Sequence, residues 1–271
     1  MNREFHTTSG AQSDVGSQKP AGIVFSFEAR ARLNVQLAQV SAAGSDEERL
    51  RALKDYRAEL ELARAEEKKR MELVEFKGEK IHWFEYEALE KLVREINEQY
   101  ARQRASDPSF SYFDVLMESL DVNVVENKIV MLSLSKRKLI RIPSAVNELV
   151  YLNMLYLSDN KLRKIENLDR LVDLDFLFLD KNLITRISGL GSLKKLRALS
   201  LWKNRVKRIE NLETATNLKS LYLGDNRIRR IGNLEYLSGL EVLDLGSNFI
   251  DQEAEATEIA KLNNWVKEFT I

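Results

Sequence analysis

The sequence predicts an α/β solenoid of short parallel strands, preceded by charged α-helices. Three observations predict it. Leucines recur in fixed columns at a period of 22 residues through the C-terminal half; one asparagine column keeps the same period; and the segment before them is dense in charge. A fixed period in this range marks stacked supersecondary units, none of which buries its apolar face alone.

Written in rows from Leu152, the first column holds Leu152, Leu174, Leu196, Leu218 and Leu240. Leu155, Leu177, Leu199, Leu221 and Leu243 follow three positions on, and Leu157, Leu179, Leu201, Leu223 and Leu245 two after that. Each such stretch reads as a strand whose leucines point inward, while the intervening residues face outward on the concave side. Asn160, Asn182, Asn204, Asn226 and Asn248 fill the ninth column, where the chain must turn. An amide both donates and accepts, so this column reads as a structural ladder satisfying buried backbone groups. The return path is too short for a full helix and should be extended or 3₁₀-like. An earlier row runs from Ile129, with Arg137 in place of the asparagine. A degenerate later row places Leu262 and Trp265 in the first two leucine columns, after a helix over residues 251–261.

The rows LYLSDNKLRKIENLDRL, LSLWKNRVKRIENLETA and LYLGDNRIRRIGNLEYL resemble the 22-residue leucine-rich repeat family typified by protein phosphatase 1 regulatory subunit 7. The I-x-N-L ending, Ile165 to Leu168, Ile209 to Leu212 and Ile231 to Leu234, is that family's hallmark; the third row departs, with Gly189 for the second asparagine. The resemblance covers about residues 129–250. It implies a right-handed superhelix with its parallel strands on the concave face, and partners that sit on that face.

The outward strand positions include Tyr156, Phe176, Phe178, Trp202 and Tyr222, which should form an aromatic path across adjacent rows. Asp159, Asp180, Asp225 and Asp244 interleave with them. Rigid aromatic anchors inside a polar rim are what a protein-binding hot spot needs. The alternatives are cross-strand packing of the same rings and coverage by the chain's own N-terminal helices. Just after each ladder asparagine the chain is rich in cations, including Arg163, Lys164, Arg205, Arg208, Arg227 and Arg230. Stacking aligns them in a stripe along one edge. That stripe suits an anionic surface, an acidic protein tail, a phosphoinositide or RNA, or else is simply a solvated edge. No aromatic interleaving marks a nucleic-acid platform there.

Before the repeats, residues 1–21 read as a disordered tail and 22–128 as a charged helical region, part of it an N-terminal cap; residues 129–271 form the repeat domain with a closing helix. Phe25 to Val40 mixes strand alternation with helical composition and is read as helix. Ser45-Asp46-Glu47-Glu48 is a capping box opening the next helix. A heptad seam of Leu50, Leu53, Leu60, Met71 and Val74 is interrupted by Arg57, Arg64 and Glu67, which argues against a long self-sufficient coiled coil. Gly78 should break or bend this run. Phe84, Ala88, Leu89, Leu92, Val93, Ile96 and Tyr100 give an apolar face that must pack on something, most simply the first repeat. A further short helix is expected after Asp107, with Phe110, Phe113, Leu116, Met117 and Leu120 inward. Lys80-Ile81-His82-Trp83 matches a loose phosphatase-docking motif that binds as an extended strand, but the stretch reads as helical.

Lys plus Arg and Asp plus Glu both number 42, so net charge gives no global push toward nucleic acid or membrane. With no cysteine and two histidines, there is no thiolate chemistry and no metal-ligand spacing; no phosphate-binding glycine loop occurs. No cofactor and no enzymatic activity are expected. No apolar run approaches a membrane span, and the first twenty residues carry no apolar signal core. The expectation is a cytoplasmic adaptor, cytoskeleton-associated or nuclear as alternatives. It binds another protein, with a phosphatase or a cytoskeletal or axonemal component as candidates.

Overall fold

The computed structural model describes residues 27–70, 72–107, 109 and 115–271, which divide into two compact units, 1–70 and 71–271. The tail over 1–21, Phe25, Phe110 and Phe113 lie outside the described residues.

The first unit is a helical hairpin of α1 (Phe27–Ala42) and α2 (Asp46–Arg70). The capping box forms: the Glu48 N–H donates to Ser45 Oγ at 3.2 Å, and the Ser45 and Gly44 N–H groups both donate to Glu48 Oε2 at 3.0 Å. Ala29, Leu33 and Ala63 make a small buried core flanked by Tyr56 and Leu60. Arg32 bridges the helices, reaching Glu59 at 2.7 Å and Glu66 at 2.5 Å. Leu50 and Leu53 of the heptad seam stay exposed, so of its leucines Leu60 alone packs on the hairpin core.

The second unit opens with a feature the sequence reading missed. Residues 73–82 are a β-hairpin, β1 (Leu73–Phe76) against β2 (Glu79–His82), and Gly78 is not a helix bend but part of its turn. Lys77 and Gly78 both have positive φ (54° and 82°), the conformation that closes a two-residue hairpin without splaying the strands. The Lys80-Ile81-His82-Trp83 stretch is therefore partly extended rather than helical. Yet Ile81, the aliphatic anchor of the docking motif, is fully buried in the protein's own core.

α3 (Trp83–Ser106) follows, with Ala88, Leu89, Leu92, Ile96 and Tyr100 in the same core as the repeats and Phe84 buried near its start. The helix expected after Asp107 is reduced, among the described residues, to one 3₁₀ turn at Met117–Ser119; Leu120 is buried but Leu116 is exposed. The charged region also ends in a strand rather than a helix. β3 (Asp121–Val125) pairs antiparallel with β4 (Lys128–Ser133), through a turn in which Glu126 and Asn127 have φ of 49° and 64°.

From β4 onward the strands are parallel and in register: β5 (Met154–Tyr156), β6 (Phe176–Phe178), β7 (Ala198–Ser200), β8 (Ser220–Tyr222) and β9 (Val242–Asp244). Leu132, Leu155, Leu177, Leu199, Leu221 and Leu243 align across the sheet and are fully buried. The return path runs through consecutive 3₁₀-like turns, as in the Leu171 N–H to Leu168 O and Leu174 N–H to Leu171 O bonds.

α4 (Ala256–Trp265) and β10 (Glu268–Thr270) close the array, and here the expected register is corrected. β10 pairs parallel with β9, placing Phe269 opposite Leu243. The final row is thus Val266, Phe269 and Ile271, with the spacing of the leucine columns. Leu262 packs into the core from α4, and Trp265 lies exposed at that helix's end.

Candidate functional site

The asparagine ladder fixes the geometry on which both candidate surfaces rest. Asn182 Oδ1 accepts the Leu162 N–H at 3.0 Å, while Nδ2 donates to Leu157 O at 3.0 Å and Leu179 O at 2.9 Å. Asn160, Asn204, Asn226 and Asn248 repeat these bonds between their own rows. The residue before each asparagine, Asp159, Lys181, Lys203, Asp225 or Ser247, sits at positive φ near 55°. Asp159 and Asp225 are thus turn residues at the rim, their side chains directed by a constrained backbone.

A second asparagine column has a different physical basis. Asn167, Asn211 and Asn233, the third residue of I-x-N-L, all have positive φ, and each donates to the isoleucine carbonyl one row earlier: Ile142, Ile187 and Ile209. Gly189 occupies this position in its row with φ of 70°, so the departure in the third row keeps the left-handed backbone and gives up the side-chain bond. A Cβ there would lie 2.5 Å from Ile165 O.

On the outward face of the sheet the register sorts the five aromatics into three lines. Tyr156, Phe178, Ser200 and Tyr222 share one line, Met154, Phe176 and Ala198 a second, and Trp202 a third with Asp180. The aromatic path is therefore broken. Tyr156 and Phe178 stack with ring centroids 4.8 Å apart and planes 8° from parallel, but buried Ser200 separates Phe178 from Tyr222. Trp202 is 36% exposed, with Lys203 Nζ 4.7 Å and Lys181 Nζ 5.8 Å from its ring centroid. Cations over an indole face are attracted by its quadrupole. Gly224 makes room beside it: a Cβ there would come within 3.0 Å of the ring and 2.5 Å of Asp244 Oδ2.

The carboxylates differ in what they already do. Asp180 accepts from the Ser200 hydroxyl, from the Trp202 N–H at 3.2 Å and from the Ser158 hydroxyl at 3.2 Å, so it knits three rows together. Asp244 accepts the Gly246 N–H at 2.9 Å. Asp225 lies 3.7 Å from Lys203 Nζ. The face so built is half-buried aromatic surface pinned by hydrogen-bonded carboxylates, with one prominent ring between two lysines.

The predicted basic residues follow the asparagine turns, where the chain returns, and all are exposed. They fall into two grooves. Arg163, Lys164 and Arg205 line one, with Arg186, Glu213 and Gly189. Arg208, Arg227 and Arg230 line the other, with Lys207, Arg229 and Phe249. In the first groove Arg186 Nε donates to Glu210 at 2.8 Å.

Residues 216–258 match the leucine-rich repeat family in two copies, which supports a role in binding other proteins; repeats of this kind are typically non-enzymatic. No curated protein is a significant match. Among solved structures, an internalin from Listeria monocytogenes is 26% identical over 49% of this chain and 38% of its own, with a TM-score of 0.43. A leucine-rich repeat protein of Leptospira interrogans is 30% identical over 49% of this chain and 35% of its own, with a TM-score of 0.45. A second internalin of L. monocytogenes is 20% identical over 66% of this chain and 72% of its own, with a TM-score of 0.47. The chain thus spans little more than a third of the first two. No helix among the described residues is long and apolar enough to cross a membrane.

Proposed function

We propose that the protein is an adaptor that grips a protein partner through the concave face of its repeat array. The observation that carries this reading is Trp202, a large exposed ring with Lys203 Nζ 4.7 Å and Lys181 Nζ 5.8 Å from its centre and Gly224 beside it, on a sheet face that also carries the Tyr156–Phe178 stack. Rings fixed this way lose little side-chain freedom on binding, which is what makes aromatic anchors dominate interface energetics. Tyr156, Phe176, Phe178 and Trp202 form the anchor, and Asp159, Asp225 and Asp244 the polar rim. Affinity capture with the wild type and a Phe178→Ala/Trp202→Ala variant tests it. The variant should lose the captured partner while keeping its far-ultraviolet circular dichroism; equal recovery would end the concave-face reading.

A second reading, a structural component of a cytoskeletal or axonemal assembly, draws on the helical hairpin. Val35, Leu37, Leu50 and Leu62 are exposed there, more apolar surface than so small a core needs. Sedimentation of the full chain distinguishes the two. Self-association that Leu50→Glu/Leu62→Glu abolishes supports the assembly reading; a monomer at all concentrations opposes it. The phosphatase-subunit alternative draws no support from the docking motif, whose Ile81 is already committed to the core.

A further inference from the structure

The two basic grooves differ in one column. Glu166, Ser188, Glu210 and Gly232 occupy equivalent positions in four successive rows, the second residue of I-x-N-L or its variant. Glu210 uses that position to reach back one row and pair with Arg186 at 2.8 Å. The equivalent of Arg186 one row on is Arg208, and the equivalent of Glu210 is Gly232. The internal counter-ion is therefore missing where the cations are densest. Lys207, Arg208, Arg227, Arg229 and Arg230 line this groove, and the carboxylate of Glu255, which reaches its wall, accepts the Ile231 N–H at 3.4 Å rather than pairing with any of them. Among the described residues none of the five makes an ion pair, whereas the first groove has both Glu213 on its wall and the Arg186–Glu210 pair. At Gly232 the wall is bare, since a Cβ there would meet nothing within 4 Å. Phe249 takes the place in the next row that Arg205 and Arg227 hold in theirs, and its ring is 65% exposed at the groove's end.

We propose that this groove binds an acidic peptide segment, whose carboxylate takes the position that Glu210 fills one row earlier and pairs with Arg208, with an adjoining apolar side chain resting on Phe249. Guanidinium groups present a planar fork matched to a carboxylate, and crowding five like charges leaves the free groove under repulsion that an anion relieves. A lone aromatic gives no stacking platform for successive bases, and the chain's balanced charge gives no general field for a polyanion; both favour a peptide over nucleic acid.

Fluorescence anisotropy of the full chain with a short labelled peptide alternating glutamate and leucine tests this. Binding should weaken steeply with salt. Gly232→Glu, which restores the internal carboxylate in open space, should weaken it about tenfold, while the neutral Gly232→Gln should not; the contrast separates charge competition from steric block. Phe249→Ala should weaken the leucine-bearing peptide but not an all-glutamate one. Trp202→Ala should change nothing, keeping this surface distinct from the concave face. Gly232→Glu binding as tightly as wild type, no binding by the wild type, or tighter binding of single-stranded RNA or phosphoinositide vesicles than of the peptide would each overturn the proposal.

Discussion

The interior rows and the first row satisfy the same backbone groups by different chemistry. Inside the array each row is served by its neighbours: asparagine amides and strand carbonyls one row away, at a constant offset. The first row has β3 beside its strand and α3 beside the rest of its path instead, and α3 supplies a set of unlike side chains. Glu85 Oε1 accepts the Ile129 N–H at 2.9 Å, and Gln99 accepts from the Ile140 and Arg141 N–H groups and donates to Arg141 O. The Tyr100 hydroxyl donates to Arg137 O at 2.6 Å, and Gln103 donates to Lys138 O. Arg137, which replaces the ladder asparagine, donates to Ser119 O on the outer side at 2.6 Å. A periodic interior lets one solution be reused, whereas an end needs a bespoke one.

The sharpest way to break this comparison is at the ladder. Asn182→Ala strips partners from the Leu162 N–H and from the Leu157 and Leu179 carbonyls, all buried. It should cost about 4 kcal/mol, read from urea unfolding. A loss below about 1 kcal/mol would mean that water replaces the amide, and the ladder would not be structural.

Glu85 tests the helix end, through pH. Its carboxyl is fully buried, and burial pushes its pKa up from 4.5 to about 7, against the lowering pull of the Ile129 and His82 N–H groups and the Lys128 charge. In the unfolded chain the group ionises from 4.5 upward, whereas the fold holds it protonated until about 7. Stability should therefore fall as pH rises between those values and level off above them. Glu85→Gln, which still accepts from Ile129, should flatten that slope and gain about 3 kcal/mol at alkaline pH, with little change in acid. An unaltered pH profile would contradict it.

The smallest effect belongs to Gln99→Ala. Its bonds to Ile140 and Arg141 are long, 3.3 and 3.4 Å, and both of those residues are exposed, so water can take them over. About 1 kcal/mol is expected, with faster hydrogen exchange confined to the first row. Exchange spreading through later rows would show that the cap and the interior unfold as one unit.

The same contrast explains what could be read from the sequence. The leucine and asparagine columns are legible because a repeated physical demand leaves a repeated residue. The cap leaves none: Glu85 and Gln99 look like two more polar residues on a charged helix, and only their buried side of α3 distinguishes them. The β1–β2 hairpin hides because its strands are short and sit between strongly helical charged stretches. Its signal, a Lys-Gly pair between Leu73–Phe76 and Glu79–His82, carries less weight than the helical propensity around it. The final row escapes because Val266, Phe269 and Ile271 keep the spacing but not the residue. On the outward face of the sheet the aromatics were legible, but the line that Ser200 interrupts, and the work Asp180 does in holding it, required the register. Gly232 was visible in the repeat, yet its meaning depends on Glu210 reaching back to Arg186.

The ladder asparagines also set how the array responds to mechanical load. Their bonds run from row to row along the solenoid axis, so tension applied along that axis opens them one row at a time rather than shearing them together. Peeled in this way, the repeats would lengthen in a sequence of similar steps, each releasing one row's worth of chain, so that the same column that gives the array its stiffness would make it extensible in measured increments.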